Sequence, residues 1–160
     1  MEDLMMRPLE PGETLPWDLL LLADPFRPMV ERYLEGARVV VAVVGETVVG
    51  EYVLARTAPD TAEVMNLAVE PSCEGRGIGR VLLEHAIASA RSDELRRIEI
   101  GTGNAGLRQL GIYQRAGFRM ESIDRDFFVR HYPEPIIENG IPCRDMVRLG
   151  MDLAPAVSGR

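Results

Sequence analysis

The stretch Met65-Asn-Leu-Ala-Val-Glu-Pro-Ser-Cys-Glu-Gly-Arg-Gly-Ile-Gly-Arg-Val-Leu-Leu83 carries the decisive pattern. It opens on an apolar run suited to a buried strand, which Pro71 stops. Glycines follow at 75, 77 and 79. Ile78, Leu82, Leu83, Ala86, Ile87 and Ala90 then recur at helical spacing, so the segment reads strand, glycine loop, amphipathic helix. Glycine lets backbone come close to a ligand, successive N–H groups in such a loop form an anion nest, and the helix N-terminus adds positive potential. With Arg76 and Arg80 beside it, the loop suits a pyrophosphate. The same glycines would also serve a plain strand–helix turn. The G-x-G-x-G spacing fits the dinucleotide fingerprint G-x-G-x-x-G poorly.

Around this segment the chain reads as one α/β unit. Leu4–Leu9 is a first strand, and Thr14 is placed to cap a helix through Trp17, Leu20 and Leu21. A short helix through Met29, Tyr33 and Leu34 ends at Gly36. Val39–Val44 and Val48–Arg56 make a hairpin about Gly45-Glu46, and Glu63–Val69 is the next strand. After the glycine loop and its helix, Arg97–Ile100 is a strand, Gly101–Gly106 a loop and Leu107–Arg115 a helix. Phe118–Ile123 and Cys143–Leu153 are the last two strands. Between them, residues 124–142 form a long insert. Hairpins first and strand–helix–strand crossovers later predict a mixed α/β (α+β) fold: a central twisted sheet of about seven strands with helices on both faces. Residues 1–153 are expected to be a single domain, and 154–160 a flexible tail.

Composition narrows the function. The 160 residues carry a formal net charge of −7, which disfavours a nucleic-acid binder and mildly favours amine-bearing partners, although solubility alone accounts for it more readily. All 18 basic residues are Arg, so a Walker-type phosphate loop and lysine Schiff-base chemistry are both impossible. No apolar run is long enough for a membrane span, and Glu2 and Asp3 stand where a signal peptide carries positive charge, so a cytoplasmic protein is expected. Cys73 and Cys143 make no disulfide framework, and together with His85 and His131 they give no metal-ligand spacing. His85 falls in an amphipathic helix and reads as structural. Trp17, Phe26 and Tyr33 read as core that could also border a pocket.

Residues 74–79, Glu-Gly-Arg-Gly-Ile-Gly, resemble motif A of the GCN5-related N-acetyltransferase (GNAT) superfamily, Q/R-x-x-G-x-G/A, with Glu74 departing at the first position. Asn104, Tyr113, Gly117 and Phe118 resemble its motif B. The likeness covers Val39–Phe118 well and the N-terminal helices loosely. It implies acetyl-CoA as cosubstrate, bound by Leu67, Ala68, Val69, Glu74, Gly75, Arg76, Gly77, Ile78, Gly79, Arg80, Asn104 and Tyr113. It further implies acetyl transfer to a primary amine by direct attack in a ternary complex. A strand bulge at Asn66 and Leu67 would aim the Leu67 N–H at the thioester oxygen. Tyr113 would protonate the departing thiolate.

For the general base, the resemblance points to Glu63, at a strand start where a solvated turn residue is also common. Glu51, Glu99 and an ordered water chain compete with it. The alternative is a catalytically silent acyl-CoA-binding sensor or scaffold of the same fold. The acceptor is a small-molecule amine or a protein N-terminus, with no nucleic acid, membrane or metal involved and a homodimer left open.

Overall fold

The computed structural model describes residues 3–154. The tail expected at 154–160 therefore lies, except for Ala154, outside the described residues. The strands are β1 (Leu4–Pro8), β2 (Arg38–Val44), β3 (Thr47–Ala58), β4 (Thr61–Val69), β5 (Arg97–Gly103), β6 (Arg119–Asp124), β7 (Ile137–Glu138), β8 (Ile141–Pro142) and β9 (Met146–Asp152). The helices are α1 (Trp17–Ala23), α2 (Arg27–Leu34), α3 (Ile78–Ser92), α4 (Leu107–Arg115) and α5 (Phe127–His131). Seven strands form one sheet in the order β1-β2-β3-β4-β5-β9-β6, and β7 and β8 form a separate hairpin. Within the large sheet, β4 and β5 are parallel and every other pair is antiparallel.

Each face of the sheet is covered by helices whose sequence demands it. On one face, Ile78, Leu82, Leu83, Ala86, Ile87 and Ala90 of α3 pack on Val40, Ala42, Tyr52, Leu54, Val64 and Ile98. Tyr113 of α4 and Phe118 complete that cluster. On the other face, Leu20 of α1 and Val30 of α2 pack on Val53, with Trp17, Tyr33 and Met65 around them. The single crossover helix α3 is what allows β4 and β5 to run parallel.

A few local expectations are revised. The helix expected to be capped by Thr14 starts after Pro16, with no side-chain cap. β5 runs on through Gly103 because β9 pairs with it along its whole length, from Arg97↔Asp152 to Gly103↔Met146. The insert has structure of its own, helix α5 and hairpin β7–β8. It lies against the sheet face opposite α3. There a Cβ at Gly103 would run into Cys143 Sγ and the Phe128 ring, so only glycine admits the insert this closely.

Two irregularities position the site. The register between β3 and β4 passes from Leu54↔Val64 to Val53↔Asn66, leaving Met65 without a partner. The bulge is therefore at Met65, not at Asn66 and Leu67 as expected. One extra residue reverses the facing of the remainder of the strand. Val64 packs toward α3, whereas Asn66 turns to α1 and α2, donating to Leu20 O and Tyr33 Oη, both at 2.9 Å. The second irregularity is an opening in the sheet. β4 and β5 are paired only from Thr61↔Arg97 to Val64↔Ile100. Beyond that point the two strands part, and the residues of both line one cleft.

Candidate active site

The parted strands expose backbone. Glu70 N–H donates to Val49 O of β3 at 2.8 Å. Strand geometry alternates every residue, so Asn66 and Ala68 also turn their backbone groups toward β3. Leu67 and Val69 turn theirs to the open side, where β5 no longer supplies partners. Both are among the residues expected to bind acetyl-CoA, Leu67 through its N–H. An extended amide-bearing chain can pair with such an edge as an added strand would.

One end of this opening is a cleft of about 560 Å³ between the glycine loop, α3 and α4. Gly75, Gly77, Ile78, Gly79 and Arg80 line it. Gly77 is the N-cap of α3, with φ of 81° in the left-handed region. That conformation leaves the first N–H groups of a 15-residue helix free to meet an anion. Arg108 and Arg115, seven residues apart on α4, line the same cleft. Neither was expected, although their spacing puts them on one helix face together with Ile112. Arg76 does not line the cleft. Glu74 does, and its carboxylate lies 3.7 Å from Arg108, so its negative charge is answered by protein.

The other end is a cleft of about 470 Å³ on the side of α1 and the insert. Met65–Val69, Ile100–Gly103, Asp24, Phe128, Tyr132 and Glu138 are in its wall. Leu67, Val69, Glu74, Gln109 and Tyr113 line both clefts, so Tyr113 stands at their junction. Tyr113 is 7 % exposed. Burial pushes its phenol above its ordinary value, and the Glu138 charge adds to that, so it is a neutral O–H donor at physiological pH.

Two other expected residues are placed differently. Asn104 lines neither cleft. Its Oδ1 accepts from the Arg144 and Asp145 N–H groups at 2.8 and 3.0 Å, and its Nδ2 donates to Pro142 O at 3.1 Å. It fastens the end of the insert to the sheet. Glu63 lies in the closed part of the ladder, in register with Glu99, and lines neither cleft. Burial raises its carboxyl above the usual range; Arg148 opposes this and Glu99 adds to it. His85 is structural, its Nδ1 2.8 Å from Tyr52 Oη.

A mixed sheet whose parallel pair parts beside a bulge, with a helix N-terminus and arginines at one mouth, defines an acyl-coenzyme-binding class of fold. Comparison with known proteins gives the family. The model for the Acetyltransferase (GNAT) family matches residues 2–118, and the chain belongs to that family. It is 50% identical over 137 residues to the uncharacterized N-acetyltransferase YvbK of Bacillus subtilis (strain 168), spanning 86% of this chain and 88% of that one. A GNAT family acetyltransferase from Elizabethkingia anophelis, solved with acetyl-CoA bound, superposes with a TM-score of 0.93 at 39% identity, covering 96% of this chain and 100% of that one. A Bacillus subtilis acetyltransferase in complex with CoA superposes with a TM-score of 0.88 at 48% identity, covering 94% and 99%. Among the described residues no helix is long and apolar enough to cross a membrane.

Proposed function

We propose that the protein transfers an acetyl group from acetyl-CoA to a primary amine by direct attack, both substrates being bound at once. The observation that carries this is the junction of the two clefts. A cationic cleft suited to the coenzyme's phosphates meets an acidic cleft at Tyr113 and the free backbone of Leu67 and Val69. The α3 N-terminus, Arg80, Arg108 and Arg115 hold the pyrophosphate. Leu67 N–H donates to the thioester oxygen as it gains charge. The amine nitrogen forms its bond to the acetyl carbon, the carbon–sulfur bond breaks, and the Tyr113 hydroxyl donates to the departing sulfur. The amine must lose a proton. Glu63 is the proposed base, acting through water because it lies one register step inside the closed ladder.

Acetyl-CoA at about a hundred times its dissociation constant should stabilise the fold by roughly 2.7 kcal/mol. The experiment is a melting shift with acetyl-CoA, NAD and ATP on wild type and Gly77→Val. Wild type should respond to acetyl-CoA alone. The folded variant should lose most of that response, because valine disfavours the left-handed φ that frees the helix N-terminus. No shift in wild type would remove the reading.

A further inference from the structure

The acceptor cleft holds a carboxylate that lacks a counter-ion. Asp24, between α1 and α2, is only 9 % exposed and lies in the cleft wall. Its partners are all neutral: Oδ2 accepts from Tyr33 Oη at 3.1 Å, and Oδ1 accepts from Tyr132 Oη at 2.9 Å and from the Phe26 N–H at 3.3 Å. Among the described residues no Arg or His reaches it within salt-bridge distance, although nine other carboxylates are paired with arginine. A buried carboxylate without a cation is costly to maintain. Next to it, Asn66 is 4 % exposed and its Oδ1 has no hydrogen-bond partner. Its amide orientation is fixed, because Nδ2 faces the Leu20 carbonyl. The same wall thus holds a carboxylate without a counter-ion and an acceptor without a donor.

The rest of the wall agrees in sign. Glu138 and Glu74 are its other ionisable acids, and no Arg or His lines it. Between the acids the surface is apolar, with Leu22, Phe128, Ile136 and Met146. We propose that the acceptor is a short unbranched diamine, whose reacting nitrogen lies toward Tyr113 while its second ammonium is held by Asp24 and Asn66 Oδ1. The apolar wall takes the methylene chain. A carboxylate in place of the second ammonium would face Asp24 with no cation to relieve it.

This rests on the acetyltransfer reading above, and one acceptor panel separates the two. Thiol release from acetyl-CoA is followed with putrescine and cadaverine, with butylamine and pentylamine, with the matching ω-amino acids, and with a peptide bearing a free N-terminal alanine. The diamines should exceed the monoamines in kcat/KM by about tenfold or more, the scale of one hydrogen bond to a charged group. The ω-amino acids should be slower than the monoamines. In Asp24→Asn the ratio of diamine to monoamine kcat/KM should fall toward one. A purely structural Asp24 would leave that ratio unmoved. Equal rates for diamines and ω-amino acids, or a peptide that outperforms every diamine, would overturn the proposal even if Asp24→Asn failed to fold. Thiol release with none of these acceptors would instead count against acetyl transfer itself.

Discussion

Glu51 is a fully buried carboxylate in the centre of the sheet, and replacing it with Gln should change how stability depends on pH. It lies on β3 between Val41 of β2 and Ala68 of β4, is 0 % exposed, and neither carboxylate oxygen has a hydrogen-bond partner. Burial pushes its carboxyl up from 4.5 to about 8. The folded protein therefore keeps a proton that the unfolded chain gives up above 4.5. Its contribution to stability is fully present below pH 4.5 and is lost as pH rises toward 8. Each pH unit in that window is worth about 1.4 kcal/mol, so between pH 5 and pH 8 the loss is roughly 3 kcal/mol, a large share of a typical domain's stability. Gln is nearly the same shape and does not titrate. Urea unfolding followed by the fluorescence of Trp17, the one tryptophan of the chain, measures both proteins at both pH values. Wild type should lose roughly 3 kcal/mol more than Glu51→Gln on going from pH 5 to pH 8. Parallel pH dependences would show that Glu51 is charged in the fold and that some relaxation solvates it.

Two predictions concern the chemistry. Tyr113→Phe keeps the ring that packs 6.4 Å from Phe118 and removes only the donor. It should lower kcat by about 10²-fold, the low end for general acid help, while acetyl-CoA affinity stays close to wild type; full turnover would make Tyr113 a packing residue only. If Glu63 takes the amine proton through water, Glu63→Gln should lower kcat/KM and flatten the acidic limb of its pH profile, since a base stops working as pH falls through its pKa. A profile superimposable on wild type would assign the proton to another group.

The glycine loop and the helix after it were legible because local rules write them. Glycines 75, 77 and 79 ahead of an amphipathic run determine both the loop and the helix it feeds, and α3 begins at Ile78 as that pattern requires. Leu107–Arg115 was likewise legible down to its ends. The Met65 bulge was not placed correctly, because register is set by cross-strand pairing and the run Met65–Val69 is apolar enough to suit either facing. Arg108 and Arg115 were readable as one helix face, but nothing in the chain indicates that this face turns to the glycine loop. Asp24 was hidden for a similar reason. In sequence it is half of an Asp-Pro helix breaker, and its partners Tyr33 and Tyr132 are 9 and 108 residues away.

Asn104 links the two halves of the site in a way its motif does not suggest. The resemblance implied a coenzyme contact; in the fold its side chain bonds to Pro142, Arg144 and Asp145. Asn139 adds a second fastening, donating to Ala105 O at 2.9 Å. Both anchors join the loop after β5 to the insert, which carries Glu138 and Tyr132 into the acceptor wall. Tyr132 then reaches across to Asp24, which belongs to the opposite side of the cleft. The acceptor wall is therefore closed by a chain of hydrogen bonds running from β5 through the insert to α1. The coenzyme side needs no such chain, because helix, loop and strand edge form it directly. If the proposed acetyl transfer holds, sequence changes in the insert would reshape the cleft beside α1 while leaving the glycine-loop cleft intact.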